Sequence, residues 1–145
     1  AKAPKGSLAD WLRPPARDES AAKVGAPLYF SEISAKGSFD SFRITNRGTQ
    51  TVSLGNLFVS DDPADPLRFR LPAIKLSPGD SILIHGARNK EQIGSYLCNF
   101  SLKSGETLCL FDGKTFLDTR KIPPMSDSEI CIILPDGRLL FRLRH

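Results

Sequence analysis

The chain has little of the residue types that carry most enzyme chemistry: among its 145 residues are two His, three Cys, one Trp and one Met. Three cysteines cannot all pair within one chain, and none of them lies in a CxxC pair of the kind that holds zinc or a redox disulfide. No apolar run approaches the length of about 18 residues that a transmembrane helix needs. These absences predict a protein that is not an enzyme and has no transmembrane segment in this chain.

Excess charge of one sign is also small. Lys and Arg number 20 against 16 Asp and Glu, which gives a net charge of +4. The positive residues are scattered, whereas a nucleic-acid-binding protein concentrates them in a basic stripe. The densest group is at the end of the chain: Arg138, Arg142, Arg144 and His145. This group either adds solubility or contacts a phosphate or another anionic surface.

What the sequence does contain is a regular series of short apolar runs. Leu, Ile, Val and Phe make up 40 residues, enough for the core of one domain. From Leu28 onwards the runs alternate apolar and polar residues and are separated by Gly, Pro and Asp, which is typical of a β-sandwich. The predicted strands cover residues 28–34, 41–46, 57–60, 67–71, 81–85, 97–102, 107–111, 115–119, 130–134 and 138–142.

The turns between these runs predict hairpins. Asp112-Gly113 and Pro135-Asp136-Gly137 each join two neighbouring strands. A third hairpin around Gly105 pairs 102 with 108 and 100 with 110. That pairing directs Cys98 inward and Cys109 outward, and disulfide geometry excludes a bond across the sheet. We expect three buried free thiols, with one disulfide and a spare thiol as the alternative.

The first 27 residues differ from the rest because they contain few branched apolar residues. Ser7 and Asp10 resemble a capping box, and Leu8, Trp11 and Leu12 then share one face of a helical turn. Two prolines follow and stop the helix. We therefore predict a short helix over residues 8–13, a linker to residue 27, and one domain over residues 28–145. Trp11 is expected to pack on the domain or on a neighbour rather than to bind a ligand.

Five segments, in order, resemble the lamin tail domain family. They are LYFSEI at 28–33, FRITN at 42–46, LGNLFVSDDP at 54–63, LSPGD at 76–80 and NFSLKSGETL at 99–108. The last segment is the most specific, and the resemblance covers residues 28–125. Ser41, Arg43 and Asn56 depart from it, since the family commonly has Trp, Glu and Trp at those positions.

The resemblance implies an all-β fold, an immunoglobulin-like antiparallel β-sandwich. It also implies a role, because bacterial members of the family are accessory modules of secreted or surface-anchored proteins. We therefore expect a non-catalytic interaction or spacer module, extracellular or attached to the cell envelope. Its partners would be a protein, a glycan or an adjacent domain of the same polypeptide. The alternative is a nucleic-acid-associated module that targets a nuclease or phosphatase domain.

Three arginines form one candidate site. Arg43, Arg68 and Arg70 have the outward parity on their predicted strands. If those strands are neighbours, the planar guanidinium groups form a patch suited to phosphate or carboxylate. The alternative is an ordinary solvated sheet face.

Three carboxylates form a second candidate. Asp61, Asp62 and Asp65 lie within five residues, and such oxygen donors can begin a Ca²⁺ site. Turns in which Asp side chains bond the backbone around the two prolines explain the same residues. No other cofactor is expected.

His85 follows an apolar strand and would act as a base only beside a nucleophile and an orienting acid. The sequence has no GxSxG elbow, so we interpret His85 as structural and predict no catalytic residue.

Overall fold

The computed structural model describes residues 16–17, 27–35, 40–87, 96–126 and 128–143. Within these ranges the chain is all β and contains no helix; the helix predicted over residues 8–13 lies outside them. The strands are β1 (Ala16–Arg17), β2 (Leu28–Ser34), β3 (Ser41–Asn46), β4 (Val52–Ser53), β5 (Phe58–Ser60), β6 (Phe69–Arg70), β7 (Lys75–Leu76), β8 (Ser81–His85), β9 (Tyr96–Leu97), β10 (Thr107–Phe111), β11 (Phe116–Lys121), β12 (Glu129–Ile133) and β13 (Arg138–Leu143).

The strands form two main sheets around one core. The larger sheet has the order β1-β13-β12-β2-β3-β8-β9, the smaller has the order β11-β10-β5-β6, and β4 pairs with β7. All described pairs are antiparallel except β8 with β9. The two main sheets bury their inner faces against each other, as in a β-sandwich. Both contribute to a single apolar cluster that includes Phe30, Phe42, Ile84, Val59, Leu108 and Leu110.

Alternation of apolar and polar residues decides which side chains enter this core. In β3, Phe42 and Ile44 are buried while Arg43 and Thr45 are partly exposed, as the sequence pattern predicts. Phe42 is the centre of an aromatic group, with Phe30 edge-on at 5.8 Å and Phe100 stacked at 6.4 Å between ring centroids. Such pairs add to the stabilisation from burial alone.

The predicted hairpin around Gly105 is wrong. β9 ends at Leu97 and pairs with β8, whereas β10 pairs with β5 and β11. The segment between them therefore crosses from one sheet to the other. Gly105 has φ of 91°, which an L side chain rarely adopts, and its amide donates to the carbonyl of Ile122 at 2.8 Å. Its turn begins a new sheet instead of returning the chain along β9.

The three cysteines are free, buried thiols. The parity argument that excluded a bond between Cys98 and Cys109 depended on the hairpin that does not form. The separation now follows from the fold, since Cys98 follows the last strand of the larger sheet and Cys109 lies in β10 of the smaller one.

Part of the predicted linker belongs to the larger sheet. Ala16 lies opposite Leu139 and Arg17 opposite Arg138, so β1 covers the start of β13. Without β1, β13 would be an open edge of the sheet, and this pairing closes its first two residues. The part of the chain that the structure describes holds no helix of the length and apolarity that a membrane crossing requires.

Two β-bulges bring β2 and β11 together across the core. In β2 the register against β3 shifts between Phe30 and Glu32, which leaves Ser31 as an extra residue. In β11 the register against β10 shifts in the same way and leaves Leu117 extra, beside Asp118. A bulge turns backbone groups out of the regular ladder. The Phe30 amide donates to Oδ2 of Asp118 at 2.9 Å, a hydrogen bond from one sheet to the other.

The carboxylate of Asp118 also forms an ion pair with the guanidinium of Arg120. Nε of Arg120 lies 3.2 Å from each carboxylate oxygen of Asp118, and both side chains are at most 2% exposed. Their register partners are the core residues Leu110 and Leu108. Burial raises the pKa of Asp118, while the charge of Arg120 and the Phe30 amide act in the opposite direction. Removing either member of such a pair leaves an uncompensated charge in the core.

We predict that Asp118→Ala lowers the free energy of unfolding by about 3–5 kcal/mol, because it leaves the Arg120 guanidinium buried without its carboxylate. The matched control is Asp136→Ala, which removes the partner of Arg138 from a pair that is half exposed. Asp136→Ala should lower the free energy of unfolding by about 1 kcal/mol or less. Urea denaturation of both variants measures the difference. Equal stability of Asp118→Ala and the unmodified protein would contradict this account of the core.

Candidate functional site

The three candidate arginines do not form one patch. Arg43 lies in β3 of the larger sheet, whereas Arg70 lies in β6 of the smaller sheet and Arg68 immediately precedes that strand. Outward parity on two opposed sheets directs side chains to opposite sides of a sandwich. The condition for a shared patch, that the strands are neighbours, is therefore not met by Arg43.

Two of these arginines bond to groups of their own chain. Arg43 forms an ion pair with Glu32 on the adjacent strand and also donates to Oγ of Ser81 at 3.0 Å. Arg70 donates from Nε to the carbonyl of Gly55 at 2.6 Å and from Nη2 to Oδ1 of Asn56 at 3.2 Å. Two nitrogens of each guanidinium thus bond to local structure.

Arg68 contacts two carboxylates of the acidic loop, the segment that carries Asp61, Asp62 and Asp65. Its Nη1 lies 2.7 Å from Oδ1 of Asp61, which is buried, and its Nε lies 3.2 Å from Oδ2 of Asp65. The hydrogen bond to Asp65 and the charge of Asp61 raise the pKa of Arg68. Asp62 instead accepts the amide of Ala64 at 2.9 Å, the turn that the sequence offered as the alternative to a metal site.

The acidic loop therefore carries its own cation. A Ca²⁺ ion would need the same carboxylate oxygens that Arg68 now contacts. Among the described residues, no group of three or more His, Cys, Asp or Glu side chains is arranged to hold a metal ion. Arg68 would therefore compete with Ca²⁺ for the carboxylates of Asp61 and Asp65.

The described contacts of Cys98 and His85 include no hydrogen bond between the thiol and the Nδ1 atom of the imidazole. Burial raises the pKa of Cys98 and of Cys109 to about 11, so both are protonated at neutral pH. Sγ of Cys98 is bonded to the carbonyl of Phe100 at 3.3 Å. His85 is buried at the end of β8, and no described residue offers its Nδ1 a hydrogen bond.

Sequence reasoning missed three exposed apolar side chains. Leu67, Tyr96 and Leu97 are 56%, 42% and 45% exposed, although the strand pattern predicted that Leu67 faces inward with Phe69 and Leu71. The strand at this position begins only at Phe69, so Leu67 lies in the preceding loop, where alternation does not apply. The only sequence signal was an apolar residue beside the prolines of the acidic loop.

The chain segments that carry these three side chains are joined by a hydrogen bond, and we call the surface around it the β6–β9 side. β6 is the edge strand of the smaller sheet and β9 the edge strand of the larger one. Nδ2 of Asn99 donates to the carbonyl of Arg68 at 2.8 Å, which joins the segment of Leu97 to that of Leu67. Edge strands present backbone donors and acceptors that can pair with another chain. Apolar side chains and sheet edges thus occur together there.

A second surface, which we call the outer groove, is concave. It lies on the half of the larger sheet that is farther from β9. It has a volume of about 370 Å³ and is formed by β2, β12, β13 and the turn after β12. Its lining includes Tyr29, Glu32, Ile132, Pro135, Leu140 and Arg142. Ile132 and Leu140 point away from the core because the neighbouring Ile133 and Phe141 point into it.

A scan against protein-family models finds no match for this chain, and a search of curated proteins finds none either. The resemblance to the lamin tail domain therefore depends on the five segments alone.

We predict that the thiols are unreactive in the folded protein. With a pKa of about 11, only about one Cys98 or Cys109 side chain in ten thousand is a thiolate at pH 7. A thiol reagent should label them only as fast as the domain opens, and should label all three cysteines at once in denaturant. Rapid native labelling of Cys98 or Cys109 would contradict the burial described.

We also predict that Ca²⁺ at millimolar concentration leaves the melting temperature unchanged, since the Arg68 guanidinium already contacts both Asp61 and Asp65. Thermal denaturation with and without Ca²⁺ measures this. The opposite result would be a rise in melting temperature with Ca²⁺ that Asp61→Asn abolishes.

Proposed function

We propose that this chain is a non-catalytic interaction module that binds a protein partner through the β6–β9 side. The observation that carries the proposal is the exposure of Leu67, Tyr96 and Leu97 beside two sheet edges. Large apolar side chains grouped on a surface favour association with another protein. A partner with an extended apolar segment fits best, because it can use both the edge backbone and the apolar side chains.

The charges described above favour this proposal over binding of nucleic acid. Phosphate binding needs guanidinium or ammonium groups that are free to replace counterions. Arg43, Arg68 and Arg70 instead contact Glu32, Asp61, Asp65 and backbone carbonyls. A module that targets a nuclease or phosphatase domain to nucleic acid remains the alternative outcome of the test.

We further propose that the sandwich is immunoglobulin-like and belongs to a bacterial lamin-tail-like module, extracellular or attached to the cell envelope. What supports this is the structural role of the resembling residues. Asn46, at the end of FRITN, is fully buried; its Nδ2 donates to the carbonyls of Gln50 and Leu76, and its Oδ1 accepts the amide of Gly48, each at 2.9 Å. Gly105 of NFSLKSGETL occupies the left-handed turn between the sheets.

The test is selection of extended peptides from a displayed library on the immobilised protein. We expect peptides with alternating apolar residues, whose affinity falls at least tenfold for Tyr96→Ser and Leu97→Ser. The control is Ile130→Ser, which removes a half-buried apolar side chain on β12 and should keep the affinity.

Three results would overturn the proposal. Equal affinity of the selected peptides for all variants would show that they bind elsewhere. Failure to select peptides, together with binding of double-stranded DNA that weakens with salt, would favour the nucleic-acid alternative. A catalytic turnover that His85→Ala abolishes would show that the chain is an enzyme.

A further inference from the structure

The outer groove carries an inference that does not depend on the proposed function, because its lining includes none of the three exposed apolar residues of the β6–β9 side. The outward face of a two-sheet sandwich usually consists of polar side chains. Here Ile132 and Leu140, which lie opposite each other in β12 and β13, are half buried and line the groove together with Pro135. An apolar concavity of this kind gains free energy when another apolar group covers it.

Arg142 adds a polar requirement at the same place. It lines the groove, and its Nε is buried without a hydrogen-bond partner among the described residues. A guanidinium N–H that is removed from water without an acceptor costs free energy. A carboxylate oxygen bonds to a guanidinium more strongly than a neutral acceptor does. The occupant that suits the groove therefore brings an anionic oxygen as well as an apolar group.

The other charged groups around the groove also favour an anion. Among the described residues that line it, Glu32 is the one carboxylate, and it is already paired with Arg43. At the turn after β12, the Arg47 guanidinium lies 4.6 Å from the ring centroid of Tyr29 and donates from Nη1 to the carbonyl of Pro135. Since Tyr29 and Pro135 both line the groove, a second guanidinium is held at the turn end of it.

The spacing along β13 specifies how the apolar group and the anion are joined. Leu140 and Arg142 are alternate residues of one strand, and Phe141 between them points into the core. Their side chains therefore share a face, and their Cα atoms are about 6.6 Å apart, since strands rise about 3.3 Å per residue. An extended peptide repeats this distance between its own alternate side chains. A partner whose apolar and acidic residues are separated by one position therefore places both over their counterparts.

We propose that the outer groove binds an extended peptide segment of a partner protein in which Leu, Ile or Phe is separated by one residue from Glu or Asp. The apolar side chain packs on Ile132 and Leu140, and the carboxylate accepts from Nε of Arg142. Apolar burial supplies most of the affinity. The carboxylate fixes the register, because any other register leaves the Arg142 N–H unsatisfied. Nucleic acid fits less well, because the carboxylate of Glu32 lines the same groove.

The probe is a synthetic peptide, acetylated and amidated at its ends, in which a Leu and a Glu separated by one Thr lie between Ser residues. Titrated into the isotopically labelled protein, it should shift the amide resonances of Ile132, Leu140 and Arg142. Leu140→Gln should weaken binding at least tenfold, because it removes the apolar floor of the groove. Arg142→Met should weaken binding several-fold, and so should a Gln in place of the Glu of the peptide. In Arg142→Met the two peptides should bind equally.

The matched control is Arg138→Met, which removes the same charge from the same face of β13. Nε of Arg138 already donates to Asp136 at 2.9 Å, so this variant should bind the peptide as tightly as the unmodified protein does. Arg142→Met should keep the melting temperature, because the Nε that it removes forms no hydrogen bond within the described residues.

Several results would contradict the proposal. Equal binding of the Glu and Gln peptides to the unmodified protein would show that no carboxylate meets Arg142, and this comparison decides the matter even if Leu140→Gln does not fold. Equal weakening by Arg142→Met and Arg138→Met would indicate a general attraction of charge. A lower melting temperature of Arg142→Met would assign this guanidinium a structural role. Resonances of the groove that stay in place with peptide but shift with duplex DNA would assign the groove to nucleic acid.

Discussion

The hydrogen bond from the Phe30 amide to Asp118 is the constraint on which the two sheets depend. Apolar contacts between facing sheets are non-directional, and they alone leave several relative positions of similar energy. A buried amide and a buried carboxylate allow only one, because each would be unsatisfied in any other. The bulges at Ser31 and Leu117 aim the two groups at each other. The charge of Arg120 then acts against burial, which raises the pKa of this carboxylate among Leu108 and Leu110.

The surface follows a different rule, because several of its described charges are paired locally. Arg43 bonds to Glu32, Arg68 to Asp61 and Asp65, and Arg138 to Asp136. Exposed pairs of this kind contribute little to stability, but they leave a weak field for steering anionic partners. The apolar groups of the β6–β9 side and the outer groove are therefore the features that distinguish one part of this surface from another. Recognition through them depends on shape and burial more than on charge.

Sequence pattern predicted the strands that form the centre of the fold. β2, β3, β8 and β10 have the predicted bounds because each is long enough to show alternation and is bounded by turn residues. β1, β4 and β7 are two residues long, too short for any period to show. Asp118 and Arg120 were not predicted as core residues. Alternation assigns charged residues to the solvent face, and only the bulge beside them and the amide they meet explain why these face inward.

The candidate sites were harder to predict than the fold, for a physical reason. Parity along a strand states which face a side chain is on, but not which strands share a sheet. The sequence could therefore group Arg43 with Arg70 only on the condition that their strands are neighbours. Composition of a loop states which ligands it contains, but not whether a neighbouring cation such as Arg68 already occupies them. Leu67, Tyr96 and Leu97 became candidates only once their exposure was known.

The central claim is tested most directly by hydrogen exchange of the Phe30 amide. If Asp118 holds the two sheets together, this amide should exchange only through global unfolding, as slowly as the amides at the centre of β3. Exchange at the rate of a solvent-exposed loop amide, in a protein that is otherwise protected, would contradict the account.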